Sequence, residues 1–373
     1  MPRVGILTFH WADNFGAILQ AYALQKVVGN LGYQVEIVDF RPPDLVLSYR
    51  PTLRRKELEV VYGKGKMVRG FIVELLTFLK KKKRVRLFEE FRQQFLKLSE
   101  KRCSTAEELC LLVREYNCCI VGSDQVWNPY FLLRSGGVYL LPFCGSQGKI
   151  AYAASIAESI PEPLLDFYKV HVSDFDYVSL REKSLCNYLS SVLERPIEAA
   201  LDPTLLLSKE DYREIARKPV MNLHKRFLLA YNLGNPRVLR LAEDLSTKTG
   251  LPVVCYKKPL KRLLDQRKTF DHFGPREFLW LVDQADIIVT DSYHGTIFSI
   301  LFEKPFFVVL PESKSVRILD LLDMLKLSDR VFRDSSTFLN FGSVDYSEIR
   351  EILRDEREKS LSFLRDALVN LCT

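Results

Sequence analysis

Short apolar, β-branched runs alternate along this chain with segments in which apolar residues recur at the spacing of an amphipathic helix. A run of the first kind predicts a buried strand, and a segment of the second kind predicts a helix packed on a sheet. Regular alternation of the two predicts α/β domains with parallel sheets and right-handed crossovers. Strands are predicted at 4–10, 33–39, 117–122, 150–157, 177–180, 227–231, 251–256, 285–290 and 305–310, and helices at 14–28, 238–249, 275–284 and from 347 to about 372.

Two interruptions of this alternation divide the chain. Residues from about 50 to 100 are mainly helical, basic and aromatic, which predicts an insertion into the first domain. The turn at 201–204 ends the first alternation, and a second begins at Arg226. We therefore expect an α/β fold of two Rossmann-like, doubly wound domains, at 1–205 and 206–345, that face each other across a cleft. A final helix within 346–373 has the length to pack back across both domains.

The composition places the chain among ordinary globular proteins. It has 373 residues, of which 47% are hydrophobic and 27% are charged. No apolar run reaches the roughly 20 residues that a membrane span needs, and the first residues lack the layout of a signal peptide. Eight cysteines without CxxC pairs predict buried, reduced thiols and no metal site. These features predict a cytoplasmic protein.

Much of the net charge of +7 lies in one run, from Lys80 to Arg86, which apolar residues flank at helical spacing. A solvated helix face is the first interpretation of this run. The second is a peripheral contact with the anionic inner face of a membrane, for which the flanking residues would supply an apolar side. Nucleic acid is not an expected partner, because the chain carries no recognisable reading module.

The strongest candidate site is the turn that follows the predicted strand at 285–290 and opens the next helix. Open α/β sheets bind ligands at the carboxyl ends of their strands, and a helix N-terminus favours an anion there. The turn places His294 among hydroxyl side chains and a glycine, which suits holding a phosphate and moving a proton. The other candidate residues are Ser292, Gly295 and Thr296 in the turn, Lys304 at the end of the same helix, and Asn232 and Gly234 in the first strand-to-helix loop of the second domain.

Two loops after strands of the first domain form a second candidate site. Asp13 and Asn14 either hydrogen-bond sugar hydroxyls or cap the following helix, and Gly16 lets the backbone approach a ligand closely. Arg181 follows the strand at 177–180. There it either binds a carboxylate or phosphate of a ligand through two hydrogen bonds, or forms a salt bridge with a neighbouring helix. The loop after the strand at 117–122 has the small, polar and aromatic residues of a carbohydrate-facing loop, although its tryptophan suits the core equally well. Its candidates are Ser123, Asp124, Trp127 and Asn128.

Taken together, these segments resemble the polysaccharide pyruvyl transferase family. They come in the family's order and cover most of the chain, and they are specific as a set although no single segment is. One position departs from the family pattern, since members carry Arg two residues before the histidine and this chain has Ser292. The matching segments are 5–10, 14–25, 121–128, 151–155, 179–182, 201–205, 291–296, 304–305 and 317–322.

The resemblance implies the GT-B arrangement of two Rossmann-like domains, with phosphoenolpyruvate as donor. The acceptor would be a hydroxyl pair on a cell-envelope saccharide, free or lipid-linked, and the products a cyclic pyruvate ketal and phosphate. Neither a metal nor a cofactor is implied. His294 would take part in proton transfer, while Arg181 and Lys304 would engage the carboxylate or phosphate of the donor. The remaining candidates of the second domain would bind donor, and those of the two first-domain loops would bind acceptor.

Two other functions fit the same residues. A GT-B glycosyltransferase that uses a nucleotide sugar would share the fold and would hold the diphosphate at the same helix N-terminus. A non-catalytic glycan-binding or membrane-binding relative would keep the fold without the reaction, and Ser292 motivates that alternative, because fold does not determine function.

Overall fold

Two parallel β-sheets, one of seven strands and one of five, organise the chain. The computed structural model describes residues 2–142, 145, 147–157, 159–256, 268–311, 315–333 and 344–372. These residues divide into two compact units, one formed by Met1–Leu206 with Lys359–Thr373 and the other by Leu207–Glu358.

The sheet of the first unit has the strand order β3-β2-β1-β4-β5-β6-β7, with every neighbouring pair parallel. The chain moves outward from β1 to β3 on one side and then returns to add β4 on the other. The two directions separate between β1 and β4, which makes their carboxyl ends the switch point at which such sheets bind ligands. The strands are β1 Arg3–Leu7, β2 Gln34–Phe40, β3 Leu98–Cys103, β4 Cys118–Asp124, β5 Gly148–Ala154, β6 Tyr177–Leu180 and β7 Glu198–Ala199.

Helices connect these strands. The first, α1, is buried over most of its length, as the apolar sequence from Phe15 to Val28 requires. The end of α4 packs against it, with the ring of Phe88 stacked on Phe15 at 5.6 Å. The helices of this part of the chain are α1 Phe15–Asn30, α2 Pro43–Leu47, α3 Arg55–Tyr62, α4 Met67–Phe95, α5 Ala106–Val113, α6 Pro129–Arg134, α7 Leu165–Ser173 and α8 Lys183–Val192.

The second unit repeats the plan with the strand order β10-β9-β8-β11-β12, again entirely parallel. Its switch point lies between β8 and β11. The strands are β8 Leu228–Tyr231, β9 Val253–Cys255, β10 Lys268–Thr269, β11 Ile287–Thr290 and β12 Phe306–Val308. The helices are α9 Lys209–Ile215, α10 Pro236–Thr249, α11 Pro275–Gln284, α12 Tyr293–Leu301 and α13 Val316–Met324. The long helix α14 Tyr346–Leu371 begins in the second unit, and its residues from Lys359 onward belong to the first.

The predicted α/β fold with parallel sheets is confirmed, while the bounds of several strands differ from the prediction. β4 continues to Asp124, so Ser123 and Asp124 end the strand instead of lying in the loop after it. β3 lies partly inside the range that the sequence assigned to a helical insertion, which therefore ends as a helix at Phe95. This strand is at the sheet edge with three exposed residues at its centre, so it lacks the apolar run of a buried strand. β1 ends at Leu7, because Thr8 and His10 leave the ladder for side-chain hydrogen bonds while staying buried.

Two composition-based expectations concern membranes and thiols. Within the described ranges, no helix is long and apolar enough to cross a bilayer. No disulfide joins the described cysteines, and all of them except Cys110 are buried. Cys144 lies outside the described residues.

Candidate functional site

The switch point of the second unit brings together the two loops that the sequence had singled out there. β8 and β11 are hydrogen-bonded neighbours, so the residues after Tyr231 and after Thr290 leave the sheet side by side. The Thr290 hydroxyl donates to the carbonyl of Tyr231 at 2.8 Å and accepts from the Ser292 amide at 3.0 Å. The turn into α12 is therefore fixed from its first residue.

Asp291 ties the two loops together. Its carboxylate accepts from the amide of Leu233 at 2.7 Å and from that of Asn235 at 3.0 Å, and its side chain is buried. Burial raises the pKa of this carboxyl, while the amide donors oppose that shift. The loop of Asn232 and Gly234 is thus held against the turn that carries His294. Sequence analysis did not select Asp291, although an aspartate directly after a buried strand was a usable signal.

The hydroxyls of the turn cap the helix. Ser292 is the N-cap residue, and its Oγ accepts from the Gly295 amide at 3.2 Å. The Thr296 hydroxyl donates back to the Ser292 carbonyl at 3.0 Å and is fully buried. These contacts explain why hydroxyl residues occupy both positions. The positive end of the α12 dipole still points out of this turn and favours an anion.

Gly295 is required by packing. A Cβ atom there would lie 2.4 Å from the Thr290 hydroxyl oxygen and 2.9 Å from the Tyr231 ring. The first turn of α12 therefore sits directly on the ends of β8 and β11, which holds His294 close to the switch point.

His294 and Arg317 both lie next to Tyr293. The imidazole of His294 is 8% exposed and lies edge-on to the Tyr293 ring, with 5.4 Å between the ring centres. The guanidinium of Arg317, in the first turn of α13, lies 5.3 Å from the centre of the same ring. An imidazole, which is able to accept and give protons, and a permanent cation thus share one edge of the five-stranded sheet.

Lys304 does not join this group. It precedes β12, and the carbonyl of the next residue, Pro305, accepts from Ile288 near the start of β11. Lys304 is therefore at the amino edge of the sheet and His294 at the carboxyl edge, with α12, about 13 Å long, between them. The family resemblance assigned both residues to the donor, and it did not take account of the length of the helix between them.

In the first unit, the loop after β1 enters a buried network of charges. His10 Nε2 lies 2.8 Å from Asp39, and Arg41 donates to the same carboxylate at 2.6 Å. Burial lowers the pKa of His10, and the contact with Asp39 opposes that shift. Burial alone would raise the pKa of Asp39, but the hydrogen bonds from His10 and Arg41 outweigh it and hold that pKa well below its ordinary value.

The acceptor candidates of this loop have structural partners. Asp13 is buried and pairs with Arg92 at 2.6 Å. Asn14 caps α1, accepting from the amides of Gly16 at 2.9 Å and Ala17 at 3.2 Å. The capping interpretation of Asn14 is thus the observed one, and Gly16 lies inside the capped turn.

The loop after β4 is organised around Arg181. Its guanidinium donates to the Ser123 hydroxyl at 2.7 Å and pairs with Asp202 at 3.0 Å, while Asp124 lies 3.8 Å away. All four residues are buried. Arg181 therefore cross-links the carboxyl ends of β4 and β6 with the turn at 202–204. Asp202 was not among the predicted site residues, because a turn motif was sufficient to explain it.

Trp127 and Asn128 belong to the packing of this loop. The Trp127 indole is almost completely buried and donates to the Tyr139 carbonyl at 3.0 Å. Asn128 caps α6, accepting from the Tyr130 amide at 3.0 Å. The core interpretation of Trp127 is the one observed, so its indole is not on a surface that a saccharide reaches. Throughout the described chain, no cluster of three or more His, Cys, Asp or Glu side chains could hold a metal ion.

The chain was compared with known proteins. The sequence model of the polysaccharide pyruvyl transferase family matches residues 14–313. No curated protein matches the chain.

Solved structures with similar folds include UDP-N-acetylglucosamine 2-epimerases and a glycosyltransferase. The UDP-N-acetylglucosamine 2-epimerase of Rickettsia bellii aligns over 99% of this chain and 98% of its own, at 10% identity and a TM-score of 0.50. The Neisseria meningitidis UDP-GlcNAc 2-epimerase bound to UDP-GlcNAc covers 99% of this chain and 100% of its own, at 9% identity and a TM-score of 0.48. The glycosyltransferase SnogD of Streptomyces nogalater covers 100% and 99%, at 13% identity and a TM-score of 0.44. The Rickettsia likeness supports a GT-B-like fold, and at 10% identity it carries no information about the reaction.

Proposed function

Because this chain belongs to the polysaccharide pyruvyl transferase family, we propose that it transfers pyruvate from phosphoenolpyruvate to two hydroxyl groups of a saccharide, forming a cyclic ketal. The observation that carries the proposal is the placement of His294 and Arg317 beside the same ring, Tyr293, at the β8/β11 switch point. An anionic donor that must be protonated during the reaction needs those two kinds of group at one place.

Phosphoenolpyruvate carries a carboxylate and a phosphate, so its site must supply positive potential. We propose that the N-terminus of α12 and the guanidinium of Arg317 supply it. Arg317 would then replace the arginine that other family members carry at the position of Ser292. The loop of Asn232 and Gly234 would line the same site, because Asp291 fixes it to the turn.

The proposed chemistry consists of two additions at one carbon. His294, in its protonated form, gives a proton to the methylene carbon of the donor while the first saccharide hydroxyl bonds to the adjacent carbon. The second hydroxyl then bonds to the same carbon as its C–O bond to phosphate breaks, and inorganic phosphate leaves. The proton of one hydroxyl restores the proton that His294 gave to the methylene carbon, and the proton of the other hydroxyl leaves with the phosphate. This reaction requires no change of oxidation state.

We propose the β1/β4 switch point of the first unit for the acceptor. The candidates around it are Asp13 and Asn14 in the loop after β1, Gly16 in the first turn of α1, Ser123 and Asp124 at the end of β4, and Asn128 in the loop that follows. Their internal hydrogen bonds would fix the shape of that surface. Arg181 would act as a positioning residue, since it holds Ser123 and Asp202 in place. Lys304 and Trp127 have no part in this proposal.

We also propose a cell-envelope saccharide, free or lipid-linked, as the acceptor, and the cytoplasm as the compartment. The support for both is the family's polysaccharide substrate class and the donor, which is an intermediate of central metabolism. A polysaccharide-modifying transferase that takes a small anionic donor would meet that donor on the cytoplasmic side.

The proposal is tested by incubating the full chain with phosphoenolpyruvate and a panel of saccharides. We expect phosphate release that depends on the saccharide, together with a pyruvate ketal on the product by mass spectrometry. His294→Asn should lower the rate by about 10²- to 10⁴-fold, the range for loss of a general acid or base. His224→Asn, at an exposed histidine of the same unit, is the control and should leave the rate unchanged.

Two outcomes of that assay would contradict the proposal. One is transfer of a sugar from a nucleotide sugar with no use of phosphoenolpyruvate, which would indicate a GT-B glycosyltransferase. The other is a His294→Asn variant that transfers pyruvate as fast as the unmodified chain.

A further inference from the structure

The first half of α4 carries its apolar residues on the outside of the molecule. Leu75 is 58% exposed and Leu79 is 79% exposed, and four more large apolar residues of this stretch are also exposed. They recur at the i, i+3, i+4, i+7 spacing of one helix face, which in a globular protein normally faces the core. The exposed residues of this outer face are Val68, Phe71, Ile72, Leu75, Leu76 and Leu79.

The opposite side of the same helix is held against the protein by polar contacts. Glu74 is fully buried, accepts from the Tyr62 hydroxyl at 2.8 Å and pairs with Lys81. Gly70 lies under the Tyr62 ring, where a Cβ would come within 2.6 Å of it. A buried carboxylate and a close-packed glycine thus fix the rotation of α4, so the outward direction of the leucines is a property of the fold.

Basic residues extend this outer face of α4 beyond Leu79. Residues 64–86 contain nine basic residues and one acidic residue, a net charge of +8, whereas the whole chain has +7. The single acidic residue is the buried Glu74. Lys82 and Arg86 are exposed and follow Leu79 by three and seven residues, so they lie on the same side of the helix as the leucines. Lys80 is exposed beside them.

We propose that this outer face of α4 docks the protein on a lipid bilayer with anionic headgroups, with the helix lying in the plane of the interface. The aliphatic side chains from Val68 to Leu79, a stripe of about 16 Å, would enter the boundary between headgroups and acyl chains. Lys80, Lys82 and Arg86 would bind the headgroup phosphates.

The charge and the apolar residues of this face favour an anionic bilayer over a second copy of the chain and over nucleic acid. A second copy of the chain would bring two segments of +8 together, which repels. Nucleic acid would satisfy the charge, but five of the six exposed residues of this face are aliphatic, so apart from the ring of Phe71 it offers neither base stacking nor hydrogen bonds. An anionic bilayer satisfies the charge and the aliphatic stripe together. This inference goes beyond the proposed reaction and does not depend on it, because vesicle binding is measured without substrate.

Flotation of the full chain with vesicles tests the proposal. One set of vesicles is phosphatidylcholine alone, and the other contains about a third phosphatidylglycerol. We expect binding to the anionic vesicles at low salt that falls as salt is added, and little binding to the neutral ones. The double variant Leu75→Gln with Leu79→Gln should weaken binding at least tenfold. The double variant Lys82→Gln with Arg86→Gln should weaken binding roughly 30-fold, because each basic residue near the surface contributes about fivefold to the affinity.

The control is Leu111→Gln with Leu133→Gln, two leucines of the same unit that are 67% and 59% exposed but lie outside α4. This variant should bind as the unmodified chain does. All variants change exposed side chains, and equal thermal unfolding would show that each is folded. The proposal is overturned if the unmodified chain does not bind anionic vesicles at low salt, or if the Leu75 and Leu79 variant binds as well as the control. It is also overturned if light scattering shows a dimer that this variant dissociates, since the face would then cover a second copy.

Discussion

Arg92 shows how a single residue organises the loop after β1. Its side chain is fully buried and donates to the carbonyls of His10 at 2.9 Å and Trp11 at 2.8 Å. It also pairs with Asp13 at 2.6 Å and with Glu89 at 3.0 Å. One guanidinium therefore donates to two backbone carbonyls and pairs with two carboxylates. Without Arg92, these buried or poorly solvated groups would lose that partner. The shape of the proposed acceptor loop depends on this residue, which belongs to a helix far along the chain from that loop.

Replacing Arg92 by methionine should destabilise the first unit by about 3–5 kcal/mol, because the Asp13 carboxylate would stay buried without its cation. Denaturant unfolding followed by fluorescence would measure the change. Arg86→Met, on an exposed arginine of the same helix, is the control and should cost less than about 1 kcal/mol. Equal effects of the two substitutions would show that the buried network contributes no more than a surface ion pair.

At the level of single residues, the sequence indicated where the candidates lie along the chain but not what their side chains contact. Asp13 and Asn14 follow β1, Ser123 lies at the end of β4, and Arg181 directly follows β6. Their side chains, however, are already engaged with residues distant in sequence, such as Arg92 and Asp202. A pattern along the chain does not contain those partners, so it cannot separate a ligand-binding residue from one that holds a loop in place.

At the level of elements, α12 is positioned by one glycine. Gly295 has no room for a methyl group between Thr290 and Tyr231, so α12 can approach the sheet only because of it. Gly29 in α1 is a helical glycine with space around it, since a methyl group added there would meet a Val35 methyl at an ordinary contact distance of 3.7 Å. A substitution at Gly295 therefore tests a packing requirement, whereas a substitution at Gly29 tests helix propensity.

Gly295→Ala should lower the free energy of unfolding of the second unit by about 1–3 kcal/mol through overpacking. Gly29→Ala should change stability in the opposite direction, raising it by about 0.5–1 kcal/mol, because alanine is the better helix former. Thermal unfolding of the two variants beside the unmodified chain would measure both signs. A neutral or stabilising effect of Gly295→Ala would contradict the close packing of α12 against β8 and β11.

Buried elements could be predicted from the sequence, and strands with exposed residues, such as β3 and β7, could not. β6 and α11 have the predicted bounds, because a fully buried strand and a strongly amphipathic helix carry clear periodicity. β3 was missed because half of it is exposed at the edge of the sheet. Lys304 was assigned to the site of His294 because the sequence contains the order of elements but not the edge of the sheet that each one reaches.

At the scale of the whole molecule, the two units share one arrangement of strands and loops. Each has a parallel sheet whose strand order reverses beside its first strand, β1 or β8, and the polar loops collect at that point. Arg317 lies against Tyr293 although the two residues belong to different helices, a contact that the sequence alone does not contain. The central claim is that this edge of the second unit binds phosphoenolpyruvate.

Calorimetric titration of the full chain tests that claim most directly, with phosphoenolpyruvate in one experiment and UDP-N-acetylglucosamine in another. We expect saturable binding of phosphoenolpyruvate, at least tenfold weaker in Arg317→Gln because a charge-assisted contact is lost. Arg240→Gln, at an exposed arginine of α10, should bind as the unmodified chain does. Saturable binding of the nucleotide sugar with no binding of phosphoenolpyruvate would contradict the account and make this protein a glycosyltransferase of the same fold.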